Sequence, residues 1–349
     1  MLRRKRNRAL PYSIASYRGE QEAIYFQWWY FDAELDNGYH LMMIAMPRLF
    51  GTVNDRQNEE EPAITLSIVN PAGHVHKRML FYPGEFQADP QKMSVRFGNN
   101  TIYENDGRYY LDIDLGDGLG CTLTYIPTYS PWQAMPGSDG YTNQAIINLL
   151  HRSLQSTKYF HYAAMIPRGK VSGEITYQGK TLAIKGSGYH EQGRINFPFQ
   201  ELFTYWYWTR FYIDDWTFIF PVAKASKRAL GAYMRCFLAY KGDELIEDFC
   251  DVTGLFLSHT IHSYQSHPFT DLPIPLTATF KAHTPTVHVC VEMSLHKEIE
   301  GFTFKPFHGT KLSHNSGWFQ HLMNVDVKLR WKGNAHRLKG TGVFESMLI

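Results

Sequence analysis

The residues best suited to chemistry lie in the segment 185–220, where a polar cluster precedes an aromatic strand. Tyr189, His190, Glu191 and Gln192 follow a Gly-Ser-Gly sequence that predicts a turn. Burial among rings favours the uncharged form of a carboxyl group, so Glu191 would donate a proton and His190 would return it. Tyr189 and Gln192 would orient a polar end of the substrate or a water molecule. This chemistry is the protonation of a carbon–carbon double bond.

The aromatic residues would form the walls of the binding site. Trp206 and Trp208 share one face of a strand, because successive side chains point to opposite faces. Indole faces stabilise a developing carbocation by roughly 0.5–2 kcal/mol each. In a pericyclic reaction the gain would come instead from folding the substrate into a reactive conformer and from hydrogen bonds to a carbonyl group. We assign substrate contacts to Gln27, Trp28, Tyr30, Gln192, Asn196, Trp206, Trp208 and Arg210.

Each of these assignments has a structural alternative. A hydrogen-bonded turn that fixes a domain junction would also explain the pair His190 and Glu191. The aromatic residues alone are equally compatible with an ordinary β-sheet core. Arg210 suits a surface ion pair as well as contact with an acidic headgroup. The sequence GSGYHEQG is not a dinucleotide-binding loop, since strand-like sequence follows where a helix should begin. No metal-ligand spacing is evident either. We therefore predict no cofactor.

Composition narrows the class of protein. The chain has 349 residues, of which 19% are charged and 15% aromatic, and its net charge is +2. This balance favours sheet over helix and predicts no nucleic-acid partner. We interpret residues 1–19, which carry a basic cluster at 2–9, as a solvated tail, with contact to a membrane surface or to nucleic acid as the alternative. The four widely spaced cysteines and the lack of an apolar spanning segment predict a cytoplasmic protein without structural disulfides.

Short strands between Asn-, Asp- and Gly-rich turns run through most of the chain. Residues 23–45 predict a β-hairpin that turns at Asp-Asn-Gly, and its first arm carries aromatic residues on both faces, which predicts burial on both sides. Residues 63–69 and 75–81 predict another strand pair. The only helix that we predict spans 142–154 and could close the mouth of the site or pack on the sheet. The fold class is therefore all-β with one short helix.

The resemblance to a known family rests on three segments. QWWYFDAELDNG at 27–38 resembles the N-terminal signature of the AttH/CrtC lipocalin-like superfamily. GKVSGEITYQGKTLAIKGSGYHEQGRIN at 169–196, with the aromatic strand after it, is similar to the second signature. GTGVFES at 340–346 looks like the family's last strand. The order and spacing of these segments cover nearly the whole chain from residue 20.

This resemblance implies two lipocalin-like β-barrel or β-sandwich domains packed together, which we place at 20–198 and 199–349. The family includes cofactor-free carotenoid hydratases, which add water to a double bond, and related cyclases and Diels–Alderases. Glu191 stands where the family has Asp, and Gln192 stands where it has a second His. Because this polar set is incomplete, cyclisation or isomerisation suits the chain better than carotenoid hydration.

We therefore expect a cofactor-independent, cytoplasmic enzyme whose partner is a lipophilic polyene or isoprenoid-like substrate. Cyclisation or isomerisation of its double bonds is the predicted reaction, and hydration is the alternative. A non-catalytic carrier of a hydrophobic molecule is the alternative from another class of protein.

Overall fold

A computed structural model of the chain describes residues 26–48, 52–53, 56–57, 61–133, 158–267, 271–304 and 316–348. Of these residues 74% are in strands and 2% are helical, which confirms the all-β prediction. Their helical parts are one α-turn, Phe199–Leu202, and one 3-10 turn, Lys227–Ala229. In these ranges no helix is long and apolar enough to cross a membrane. The tail predicted at 1–19 and the helix predicted at 142–154 lie outside the described residues.

The strands are numbered in chain order. They are β1 (Phe26–Leu35), β2 (His40–Met46), β3 (Thr52–Val53), β4 (Arg56–Gln57), β5 (Ala63–Val69), β6 (Val75–Phe81), β7 (Phe86–Ala88), β8 (Ser94–Phe97), β9 (Asn100–Asn105), β10 (Arg108–Asp114), β11 (Leu119–Pro127), β12 (Phe160–Tyr177), β13 (Lys180–Ile195), β14 (Phe203–Ile213), β15 (Trp216–Ala225), β16 (Tyr233–Lys241), β17 (Glu244–Asp251), β18 (Leu257–Ser266), β19 (Pro273–His283), β20 (Val287–Phe304), β21 (Ser316–Trp331) and β22 (Asn334–Leu348).

The chain divides into two compact units, each built on one curled sheet. The first sheet has the order β6-β5-β2-β1-β13-β12-β11-β10-β9-β8-β7. The second has the order β17-β16-β15-β14-β22-β21-β20-β19-β18, with β3 and β4 attached through β20. In both sheets the first long strand lies between the second strand and the last one. The second unit therefore repeats the topology of the first.

The predicted N-terminal hairpin is confirmed. β1 and β2 pair antiparallel, with Glu34 opposite His40 across the turn. Both faces of β1 are buried: Trp29 and Phe31 are fully buried on one face, and Trp28 and Tyr30 are at most 6% exposed on the other. A strand of large apolar side chains covered on both sides can hold a polar group away from water.

The turn predicted at the Gly-Ser-Gly sequence is wrong, because Gly186 and Gly188 lie inside the long strand β13. A β-carbon on Gly186 would overlap the Glu34 carbonyl group of β1, and one on Gly188 would stand 2.7 Å from the Asp32 carbonyl oxygen. These glycines are thus required for close approach of two backbones rather than for a change of direction. The chemically interesting segment that follows them is a rigid strand and not a loop.

The absence of disulfides expected from the sequence is also wrong. Cys236 on β16 lies directly opposite Cys250 on β17, and the two form a disulfide across this hairpin. Sequence spacing alone does not reveal this pairing, since it depends on the register of the two strands. Cys121 and Cys290 are free thiols.

Candidate functional site

The most buried acidic group in the first unit is surrounded by hydrogen-bond donors. Glu191, on β13, is 4% exposed. Its Oε1 atom accepts a hydrogen bond of 3.2 Å from Nε1 of Trp28. Its Oε2 atom accepts one of 2.6 Å from the Tyr189 hydroxyl group and a second from the Tyr162 hydroxyl group. The two hydroxyl oxygens are 2.9 Å apart. One carboxyl group, two phenols and one indole therefore form a connected polar cluster.

Strand geometry explains how these side chains meet. Tyr189 and Glu191 are two residues apart on β13 and so share a face. Trp28 reaches the carboxyl group from β1, which neighbours β13 in the sheet, and Tyr162 reaches it from β12 on the other side. A β-carbon at Gly193 would stand 2.8 Å from Cε2 of the Trp28 ring and closer still to the far edge of the indole. The lack of a side chain at residue 193 is what lets the indole lie over β13.

The phenols of this cluster act as hydrogen-bond donors. Burial, and then the negative charge of Glu191, raise the pKa of Tyr162 well above its usual value. Its hydroxyl group therefore keeps its proton throughout the physiological range. A protonated phenol at this position donates to the carboxyl oxygen, and would donate equally to an oxygen atom of a bound molecule.

A second acidic group, the Asp32 carboxyl group, lies on the face of β1 that carries Trp28. Tyr30 is buried, and its hydroxyl group donates a hydrogen bond of 2.8 Å to Oδ2 of Asp32. The ring of Tyr30 is 6.1 Å from that of Tyr189, measured between centroids. Trp28, Tyr30 and Asp32 are every second residue of β1 and therefore share one face. The polar cluster around Glu191 thus extends along this face of β1 to Asp32.

His190 faces the other way. Its ring stacks on Phe31 at 3.8 Å between centroids and meets the edge of Tyr109, while Nδ1 lies 2.8 Å from the carbonyl oxygen of Tyr30. Burial lowers the pKa of His190 to about 3, so the ring is neutral and Nδ1–H donates to that carbonyl group. Since neighbouring residues of a strand point to opposite faces, His190 points away from the Glu191 carboxyl group. This geometry argues against the proton relay that the sequence suggests.

The other polar residues assigned to the site lie elsewhere. Gln27 and Gln192 are fully buried, and strand alternation puts both on the face that carries His190. Asn196 accepts a hydrogen bond of 2.7 Å from the backbone nitrogen of Tyr159 through Oδ1, and its carbonyl oxygen accepts one of 3.0 Å from Lys158. The described contacts of Asn196 thus hold a neighbouring strand end in place.

The remaining assigned residues belong to the second unit, where they surround a different carboxyl group. Trp206 on β14 donates a hydrogen bond of 2.8 Å from Nε1 to Oε1 of Glu345, and Gln320 donates one of 3.0 Å to Oε2. Burial raises the pKa of Glu345, and the hydrogen bonds and the positive charge of Arg210 oppose this effect in part. Trp208 lies directly opposite Glu345 in the paired strands. The second unit therefore also holds a buried glutamate that accepts a hydrogen bond from an indole.

The two carboxyl groups occupy equivalent positions in the two sheets. In each sheet the glutamate lies on the last strand, the indole donor on the first long strand, and a further donor on the penultimate strand. The indole donates to Oε1 in both cases, and Tyr162 and Gln320 are the corresponding donors to Oε2. The repeated topology thus extends to a repeated buried glutamate.

Sequence reasoning missed five residues of these clusters: Asp32, Tyr162, Gly193, Gln320 and Glu345. Tyr162 and Glu345 lie far along the chain from the residues that they contact, and only strand pairing brings them together. A usable signal existed for Glu345, since it lies in the segment 340–346 that resembles the family's last strand.

Comparison with known proteins places the fold. No protein-family model and no curated protein sequence matches the chain. Among solved structures, an AttH protein from Nitrosomonas europaea matches with a TM-score of 0.65 and 12% identity over 98% of each chain. CghA, in a crystal structure with Sch210972, matches with a TM-score of 0.62 and 10% identity over 93% of this chain and 89% of that chain. Kievitone hydratase from Nectria haematococca matches with a TM-score of 0.58 and 14% identity over 96% and 94%.

These likenesses show that the chain shares its fold with these three proteins. One of them is an AttH protein, in agreement with the resemblance of the signature segments. At 10–14% identity the comparison concerns the fold, and the chemistry must be argued from the residues of this chain.

Proposed function

We propose that this protein is a cofactor-independent enzyme that binds a lipophilic polyene or isoprenoid-like substrate and cyclises or isomerises its double bonds. The observation that carries the proposal is the Glu191 carboxyl group, buried between an indole and two phenols. Solved structures of the same fold include kievitone hydratase, whose name denotes the addition of water.

The proposed reaction begins with the uncharged form of Glu191, which donates its proton to an alkene carbon. The π electrons form the new C–H bond and leave a carbocation on the neighbouring carbon. In a cyclisation a second double bond attacks this carbon, and in both reactions a proton from an adjacent carbon returns to the carboxylate. The product is an isomer of the substrate, and the acid is regenerated. No external reductant or oxidant enters the balance.

The hydroxyl groups around the acid support this reaction in two ways. Tyr162 and Tyr189 stabilise the carboxylate that forms when the proton leaves, because both donate to Oε2. The Trp28 indole fixes the orientation of the carboxyl group through Oε1. Proton handling is therefore assigned to Glu191 with the two tyrosines, and His190, on the other face of β13, is assigned a packing role.

Hydration is the second candidate, and the same two phenols favour it. A water molecule held by Tyr162 and Tyr189 would be placed beside the proton donor and would attack the carbocation. The name of kievitone hydratase supports this alternative at the level of the fold. The two reactions differ in mass balance, since hydration makes a product heavier by one water and isomerisation leaves the mass unchanged.

The test compares wild-type protein with Glu191→Gln. All-trans-retinol, an uncharged polyene with intrinsic fluorescence, serves as the binding probe, and a lipophilic extract of the source organism serves as the substrate pool. We expect both proteins to bind retinol. In heavy water, only the wild type should convert a component of the extract to an isomer, and that isomer should contain deuterium. Binding without turnover in either protein would identify a carrier. Failure of the wild type to bind retinol or to convert any component would refute the proposal.

A further inference from the structure

One end of the second unit carries a cluster of phenols and cations that the proposed reaction does not use. Tyr205, Lys224 and Tyr233 lie directly opposite one another on β14, β15 and β16. The next row along the same strands is Tyr207, Val222 and Arg235. Directly opposed residues share a face of a sheet, so both rows point to the same side. We call this cluster, with His259 and Tyr264 from β18, the tyrosine rim.

The side chains of the tyrosine rim are in mutual contact. The Tyr205 hydroxyl group donates a hydrogen bond of 3.1 Å to that of Tyr233, and Tyr207 is hydrogen-bonded to Tyr264. The His259 ring lies 6.0 Å from Tyr207 and 5.6 Å from Tyr233. Tyr207 is packed in the apolar core of the unit, whereas Tyr205 and Tyr233 are half-buried against it. The cluster thus joins the apolar core to a polar, accessible edge.

Two cations lie on one ring of this cluster. Lys224 Nζ is 3.8 Å from the centroid of the Tyr233 ring, and the Arg235 guanidinium carbon is 4.2 Å from it. Two positive charges this close to one ring repel each other unless an anion compensates them. The acidic residue opposite Arg235 is Asp251, and its carboxyl group is engaged by backbone nitrogens, among them those of Phe256 and Leu257. Within the described parts of the chain, neither cation forms an ion pair.

Hydrogen-bonding capacity in the rim is also unused. Nε of Arg235 and Nδ1 of His259 are buried without a partner among the described residues. Burial, and then the positive charge of Arg235, lower the pKa of His259 to about 4, so its ring is neutral at physiological pH. Burial raises the pKa values of Tyr205 and Tyr207, so both hydroxyl groups keep their protons and stay uncharged. An acidic group bound here would meet two cations and no phenolate charge from these two tyrosines.

We propose that the tyrosine rim is a binding site for an amphiphilic organic anion. Lys224 and Arg235 would hold its acidic group, and the rings of Tyr205 and Tyr207 would contact its flat or unsaturated body. This site lies in the second unit and is independent of the Glu191 chemistry in the first. Charge-assisted hydrogen bonds to a guanidinium group are about twice as strong as neutral ones, so the acidic group should dominate recognition.

The test uses two dyes with the same ring system. Anilinonaphthalenesulfonate carries a sulfonate group, and N-phenylnaphthylamine lacks it. We expect the anionic dye to bind the full chain more tightly than the neutral dye. Arg235→Gln and Lys224→Gln should each lower the affinity for the anionic dye about tenfold and leave the affinity for the neutral dye unchanged. High ionic strength should reduce the difference between the dyes. Arg337→Gln is the matched control, because Arg337 is an exposed cation of the same unit that is paired with Asp326.

The outcomes separate this proposal from the proposed function. Glu191→Gln should leave the affinity for the anionic dye unchanged. Equal affinity for the two dyes would overturn the proposal. It would also be overturned if Arg235→Gln and Lys224→Gln left the affinity for the anionic dye unchanged, or if Arg337→Gln lowered that affinity to the same extent. If circular dichroism shows that Arg235→Gln does not fold, Lys224→Gln decides, since Lys224 is partly exposed and forms no described hydrogen bond.

Discussion

The contact between Gly193 and Trp28 yields the sharpest prediction about the Glu191 cluster. The substitution Gly193→Ala adds one methyl group at a point where a β-carbon would stand 2.8 Å from Cε2 of the indole and closer to its far edge. Ordinary carbon–carbon contacts lie at about 3.5–4.0 Å. The indole must therefore retreat by on the order of 1 Å. Trp28 is 6% exposed, so it has no free space in which to do so without moving its neighbours.

The expected cost has two parts. Inserting a methyl group into a packed interior costs about 1–3 kcal/mol. The hydrogen bond from Trp28 to Glu191 is already 3.2 Å long, at the upper limit for an N–H···O bond, so a shift of this size breaks it. Losing this hydrogen bond to a buried carboxyl group costs about 1–3 kcal/mol more. We therefore expect Gly193→Ala to lower the free energy of unfolding by about 2–6 kcal/mol.

A double-mutant cycle isolates this contact. Urea denaturation would be measured for wild type, Gly193→Ala, Trp28→Ala and the double variant. If the overlap with the indole is the cause, Gly193→Ala should cost less than about 1 kcal/mol in the Trp28→Ala background. An equal cost in both backgrounds would show that the backbone, and not the indole, requires the glycine. A negligible cost in the wild-type background would refute the packing argument altogether.

Three further predictions concern other parts of the molecule. Tyr162→Phe removes a donor to Oε2 of the acid and should lower kcat about 100-fold with retinol binding unchanged, and an unchanged kcat would remove Tyr162 from the mechanism. His190, His259 and His321 have pKa values lowered by burial from 6.5 to about 3, about 4 and about 4, so the unfolded chain binds more protons below pH 6.5. The free energy of unfolding should therefore fall by roughly 1.4 kcal/mol per pH unit for each of them as the pH drops toward 4. Urea denaturation across this pH range should show a slope that His321→Gln reduces by about a third, and an unaltered slope would contradict this assignment. Reduction of the disulfide between Cys236 and Cys250, which are 14 residues apart, should lower the free energy of unfolding by about 3 kcal/mol, and alkylation of all four cysteines in the unreduced, unfolded chain would show that the bond is absent.

Local patterns in the sequence predicted many strands. Residues 63–69 and 75–81 form β5 and β6 with the predicted bounds, since alternating apolar residues ended by turn residues leave few alternatives. The double-faced burial of β1 also followed from its composition. Strand β12 continues through Pro167 and Gly169, residue types that often interrupt a strand in sequence-based prediction but that this sheet accommodates.

The candidate site was predictable only in part. Glu191 and Tyr189 were identified from residue type, and their shared face followed from their spacing once the segment is a strand. The same alternation places His190 on the opposite face of the strand. This direction was not predicted, because the glycines before His190 suggested a turn instead of a strand. Tyr162 and Asp32 could not be predicted, because nothing in their local sequence distinguishes them from other buried polar residues of a sheet.

The sequence by itself determined the periodicity of the strands, the accumulation of aromatic residues at two places, and the resemblance to a lipocalin-like group. Each of these depends on residues within a few positions of one another. Only the tertiary structure decided which donors surround Glu191, that Trp206 donates a hydrogen bond to Glu345, and that Cys236 forms a disulfide with Cys250. These contacts depend on strand order and register, which are set by packing across the whole sheet, and a shift of one residue would turn every side chain to the other face.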